Sequence, residues 1–225
     1  SLTANNITGL TTSAIAGLTT SVIQAISSSN LSILNTIQLS ALKATQARAL
    51  TSSQLQSLTS ANISGLSSAA LAMLSSDNIS LLETRDVVGL SAIQIAALTS
   101  DQIRALGSDQ VQAMTSVQIS GLTSRQVALL SSSNLKALTT ANIVGLSASA
   151  LSGLTTGQVQ FIESTDLARM TSQQISALTP LQLSNLNSSQ FGAMTSDQIA
   201  SLSSAKLAAI TTSALNKLSV SNIAG

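Results

Sequence analysis

The sequence has no cysteine, no histidine, no tryptophan and no tyrosine. Without cysteine there is no disulfide framework and no thiolate chemistry. Without histidine the commonest general base is missing, and Cys–His nucleophilic systems are excluded. The aromatics reduce to Phe161 and Phe191, which leaves no stacking platform for nucleic-acid bases. Charge is scarce too, at 8% of residues, with nine basic and eight acidic side chains for a net charge of +1. The basic residues are scattered, whereas a nucleic-acid partner calls for a basic face that neutralises phosphates. Although 44% of residues are hydrophobic, no apolar run approaches the ~20 residues of a spanning helix. Ser1 opens without the basic and apolar regions of a signal peptide, so any export signal is expected outside this stretch.

What is present is an octapeptide, seen cleanly at Leu98-Thr99-Ser100-Asp101-Gln102-Ile103-Arg104-Ala105. From Leu2 onward the register never slips, and the chain is read as 28 octads in one domain spanning 1–225. With Leu98 as position one, that position is Leu except at Ile26, Met114, Ile162, Met170, Met194 and Ile210. Position two is Ser or Thr except at Asn35, Lys43, Glu83, Gly107, Glu163 and Asn187. Position five is mostly Gln or Asn, and position six is aliphatic except at Ala47 and Phe191. Position eight is usually Ala or Gly.

Two folds compete for this pattern. A β-solenoid rung would put positions six and eight on one face and position one on the other. A short helix would use position two as N-cap. Thr99 would accept from the Gln102 N–H while Gln102 reaches back, a capping box, and Leu98 and Ile103 would form the hydrophobic staple. Charge placement favours the helix. All eight acidic residues occupy positions two to five, and Arg48, Arg104, Lys136, Arg169 and Lys217 occupy positions seven and eight, as a helix dipole prefers. The single proline, Pro180, falls at N1, where its missing N–H costs nothing. The expected fold is therefore an all-α solenoid of 28 very short capped helices. Such helices are far below the ~12–15 residues at which isolated helices become marginal. Stacking must stabilise them, with Leu at one and Ile at six buried and a small residue at eight admitting a close neighbour.

The octad 42–49 breaks two rules together, since Lys43 cannot cap through its side chain and Ala47 removes half the staple. It reads as the weakest joint. A longer period lies over the octad. Asn62-Ile63-Ser64-Gly65, Asn142-Ile143-Val144-Gly145 and Asn222-Ile223-Ala224-Gly225 recur every ten octads, and Leu81, Glu83 and Asp86 pair with Phe161, Glu163 and Asp166. Solenoids usually carry polar terminal caps. The first and last octads resemble interior ones, so the expectation is a slice of a longer array or copies stacking end to end.

The only clustered carboxylates are Glu83/Asp86 and Glu163/Asp166, and the simplest role for each pair is at a helix N-terminus, interacting with free N–H groups and the dipole. Met114, Met170 and Met194 replace Leu at position one and read as core. Asn-x-Ser/Thr occurs at Asn6, Asn30, Asn62, Asn78 and Asn187, mostly as by-products of the octad. A threonine face for ice would need flat β-rungs. No catalytic, cofactor-binding or metal residue is expected, nor a small-molecule substrate.

Leu98-Thr99-Ser100-Asp101-Gln102-Ile103-Arg104-Ala105-Leu106 resembles the Leu-Thr-x-x-Gln-Ile-x-Ala-Leu repeats of very large exported bacterial proteins, often labelled adhesins or haem-utilisation exoproteins. The resemblance runs over the whole chain and transfers no functional residue. It implies an extracellular or cell-surface structural role, as a self-stacking fibre or a stalk. The other functional class left open is a solenoid binding module for a protein, peptide or glycan, which should gather aromatic or charged residues along one face.

Overall fold

The computed structural model describes residues 2–210. The 26 octads from Leu2 to Ala209 each contribute one helical segment, 24 of them α-helices and two of them 3₁₀-helices, with no strand among the described residues. The chain is an all-α repeat solenoid. The helices expected in the last two octads, and the contact expected at Ile223, lie outside the described residues.

One octad explains the rest. Thr99 is extended at φ −71°, ψ 165°, and its Oγ1 accepts from the Gln102 N–H at 3.3 Å. Gln102 Oε1 in turn accepts from the Thr99 N–H at 2.8 Å, which closes the capping box. The helix Ser100–Ala105 then ends because Leu106 is extended at φ −62°, ψ 128°, leading straight into the next N-cap. No described residue has positive φ, so the chain turns every eight residues without a left-handed position. Glycine is thus not needed to turn the chain. Pro180 stands at the first position of the helix Pro180–Ser184, as its missing donor suggests.

The contacts gather into two compact units, one ending at Met114 and the other beginning at Thr115. In the first, Ala44–Arg48 packs on Ser68–Ala72, Ser76–Ser80 on Ser100–Ala105 and Thr84–Val88 on Ser108–Ala113. In the second, Ser124–Val127 packs on Ala148–Ser152 and Ser164–Arg169 on Ser188–Ala193. Within each unit a helix therefore meets the one three octads away. Positions one and six form the core throughout, as at Ile103, Leu106, Val159 and Ile162. Met114, Met170 and Met194 are buried with them. Each such side chain contributes roughly 1.5–3 kcal/mol on burial.

Position five is buried as well, and does more than cap. Gln102 Nε2 donates to the carbonyls of Leu71 and Leu74, both at 2.8 Å and respectively 31 and 28 residues earlier. Gln54 repeats this with Ile23 and Ile26, Gln110 with Ile79 and Leu82, and Gln46 with Ile15 and Leu18. In the second unit Gln182 and Gln190 do the same with Leu151, Leu154, Val159 and Ile162. One amide thus caps the start of its own helix and the end of a helix in the preceding turn. Asparagine is long enough for this too, since Asn62 bonds Thr59 N–H and the carbonyls of Ser32 and Leu34.

Position eight sits where backbones approach. A Cβ on Gly65 would lie 2.4 Å from the Thr36 carbonyl oxygen, and one on Gly145 would lie 2.0 Å from that of Ser116. Gly17 has nothing within 4 Å. The octad 42–49 is better held than its sequence suggests. Lys43 makes no side-chain cap, yet its N–H still donates to Gln46 Oε1 at 2.7 Å, and Ala47 is fully buried.

Three outcomes follow for stability, each read by urea or thermal unfolding. Gly65→Ala should destabilise by about 1–3 kcal/mol through overpacking, whereas Gly17→Ala should stabilise by roughly 0.5–1 kcal/mol, because alanine suits a helix and meets no obstacle. Gln102→Ala should cost more than Thr99→Ala: the latter loses a cap worth about 0.5–2 kcal/mol, the former strands buried groups at about 1–3 kcal/mol each. Lys43→Thr should add about 0.5–2 kcal/mol by supplying the missing cap.

Candidate functional site

The amide ladder is the background against which any special site must stand out, and the departures occur at position five. In the first unit Ala14, Val22, Ala70 and Asp86 replace the amide, and in the second Ala150, Asp166, Lys206 and Ala214 do so, with Ala70/Ala150 and Asp86/Asp166 each 80 residues apart. Sequence reasoning placed Glu83 and Glu163 at N-caps with the aspartates at the third helical position, interacting with free N–H groups and the dipole. The structure keeps these positions but not the glutamates' cap bonds. Both aspartates are buried, Asp86 completely and Asp166 to 3% exposure. They occupy the glutamine slot.

The electrostatics are those of a carboxyl where an amide belongs. Neither oxygen of Asp86 finds a hydrogen-bond partner. Arg85 pairs with the exposed Glu83 at 2.9 Å and comes only to 3.8 Å of Asp86. Burial pushes the Asp86 carboxyl above its ordinary value; the nearby Arg85 guanidinium pulls it down, the Glu83 charge adds to the rise, and the Glu83 backbone N–H, which completes no full hydrogen bond, lowers it least of all. Burial pushes Asp166 up to about 6, reinforced by the negative charge of Glu163.

The surface offers a groove that repeats with the octad. In the first unit it runs between residues 80–84 and 107–110. The second unit has the same register positions between 160–164 and 187–190, and again between 144–148 and 171–174. It is the seam between segments three octads apart. One variation stands out, in that Lys136 Nζ lies 5.5 Å from the centre of the Phe161 ring. A cation over a ring is worth roughly 0.5–1 kcal/mol at an exposed site, and Leu81 occupies the corresponding place 80 residues earlier.

The remaining sequence candidates are absorbed by the fold. Asn62 and Asn78 are buried, and Asn187 caps its helix by accepting from the Gln190 N–H at 3.0 Å. No group of three metal-ligating side chains gathers among the described residues. No helix among the described residues is long and apolar enough to cross a membrane. Large apolar side chains exposed at position four, such as Ile37, Ile93, Val117 and Leu181, occur singly and call for no partner. Sequence reasoning missed the cross-turn role of position five. Its signal was the amide itself: a capping box accepts Glu as readily as Gln, yet no octad has Glu there.

Comparison with known proteins agrees with this architecture. A model of the ALTTAQ repeat matches residues 79–116, which include Asp86, and residues 168–204, which begin just after Asp166. None of the curated proteins matches the chain. The protein is a helical repeat protein, and two of its segments are similar to the ALTTAQ repeat.

Proposed function

We propose that the chain is a structural repeat segment of an exported bacterial surface protein, serving as a stalk or spacer whose turns stack into a fibre. One observation carries this reading. In octad after octad, positions one, five and six are committed to joining turns, and what remains exposed is largely Ser, Thr and small residues. A surface so used has no position reserved for chemistry, and an enzymatic role is not part of the proposal. The exported, cell-surface setting rests on the resemblance of the octad to repeats of large exoproteins. The groove lined by Lys136, Phe161 and Glu163 is the one feature that favours a binding module instead.

Self-stacking has a physical basis in the first turn. Leu2, Leu10 and Leu18 are only partly covered there, whereas position one is buried elsewhere, and Val22 is 39% exposed. Leu2, Val22, Ala25 and Ile26 line an apolar surface there, of the kind that interior turns bury. Either preceding octads of a longer chain or a second copy seated on it would continue the solenoid, the copy through a heterologous contact that does not close and so extends.

Negative-stain microscopy together with sedimentation velocity tests the proposal. The expected result is rods or filaments that lengthen with concentration, with only weak salt dependence because burial drives the contact. Leu18→Lys should shorten them while leaving the helical circular dichroism intact. A chain that stays monomeric at high concentration removes self-stacking and leaves a passive spacer. A folded monomer that takes up a peptide or glycan in one-to-one stoichiometry, and loses it on Phe161→Ala, overturns the structural reading in favour of the binding module.

A further inference from the structure

Where position five is Gln or Asn, its side chain presents an N–H₂ group to the carbonyls that end a helix one turn back. The register that links Asn62, the isostere of aspartic acid, to Ser32 and Leu34 brings Asp86 to Gln56 and Leu58, and Asp166 to Lys136 and Leu138. An ionised carboxylate has only acceptors. It cannot donate to a carbonyl, and a buried one repels it. The protonated acid has an O–H in about the place where asparagine, its isostere, has N–H₂, and Asn62 shows that this shorter side chain spans the gap at 2.9 and 3.2 Å. Asp86 is fully buried, and neither of its oxygens makes a hydrogen bond.

We propose that Asp86 and Asp166 are proton-operated rungs of the ladder. Each takes up one proton from bulk water on acidification and donates it as a hydrogen bond to the carbonyls one turn back, so that its joint tightens. Each loses that bond and faces acceptor with acceptor at neutral pH. The two units carry one such rung apiece.

The surroundings allow this. On its own helix Asp86 has Arg85, and Glu83 precedes it at the N-cap. Of the helices packed against it, Ser60–Ile63 carries no ionisable side chain and Ser108–Ala113 carries only the exposed Asp109. Arg85 is the one nearby cation, and its pairing with Glu83 leaves it 3.8 Å away. Asp166 has Glu163 at the N-cap and exposed Arg169 at the end of its helix. The segments packed on it, Ser188–Ala193 and Ile143–Gly145, are uncharged, and Lys136 shares the groove with Glu163. Desolvation is therefore opposed by a close cation only at Asp86, and Asp166 titrates near 6.

The direction of the pH effect is fixed by linkage. Where the folded state holds a proton more tightly than the unfolded chain, stability falls as pH rises. For Asp166 the window runs from its ordinary value of 3.8 up to about 6. Folding should be tightest near the acidic end of that window and weaken through it, with no further loss from this group above it. The full shift corresponds to about a hundred-fold in the unfolding constant, at ten-fold per pH unit.

The test is unfolding of the intact chain at constant ionic strength between about pH 7.5 and 4.5. Wild type is expected to become more stable on acidification. The Asp86→Asn/Asp166→Asn chain should be more stable than wild type at the neutral end and nearly flat across the range, because asparagine is a native occupant of the slot. Wild-type stability that is flat or falls on acidification overturns the proposal, as does a double variant weaker than wild type at neutral pH. A carboxyl-carbon NMR titration reads the sites directly. An Asp166 midpoint near 6 supports the rung, and one below about 5 overturns it. Millimolar calcium is the remaining arm. If calcium stabilises wild type at neutral pH but not the double variant, a cation and not a proton completes the rung, and the proposal fails.

Discussion

A single side-chain amide joins one turn of this protein to the next. Its oxygen holds the N–H at the start of one helix, and its nitrogen holds the carbonyls at the end of another. Helices of four to six residues leave nearly all their terminal groups outside any internal bond. In an ordinary helical protein water meets that demand at exposed ends. Here the ends are stacked in the interior, and an unmet buried group costs about as much as a lost hydrogen bond. The amide settles two ends at once, and this is what permits a solenoid of helices too short to exist alone.

The apolar core follows from that arrangement. With caps fixed at both ends, each octad has only positions one and six left to bury, and both are aliphatic nearly throughout. Position eight is then constrained from outside by the neighbouring backbone, which explains glycine at 65 and 145. The low charge of the sequence has the same origin. A charged group suits the first or last helical turn where it stays wet, as Asp101 and Arg104 do in pairing at 3.1 Å. At position five it must shed water, which makes Asp86 and Asp166 anomalous.

Most of the fold is legible in the octad because its determinants are local. Cap, staple and proline position all act within four residues, and they decide helix over strand. The burial of the aspartates was missed for the opposite reason. Asp86 three residues after Glu83 looks like an ordinary acidic first turn, and only contact with chain 28 or more residues away shows that the position is interior. The octad 42–49 lacks a side-chain cap as its sequence indicates, but its sequence does not show that Gln46 holds the Lys43 N–H locally and the carbonyls of Ile15 and Leu18 at a distance. Periodicity tells which positions are buried together. It does not tell which polar atom meets which across a turn.

The cross-turn offset of 28 residues equals three and a half octads, so each amide meets its partners half an octad out of step. No octad is therefore tied to a fixed numbered partner; it needs only some octad at the right distance behind it. Removing or adding any whole number of octads recreates the same joints on either side of the splice. Genes of this kind can lengthen and shorten by recombination between near-identical segments without making a seam the protein must repair. A period of ten octads, as in this chain, is a length such copying can produce without disturbing the joints.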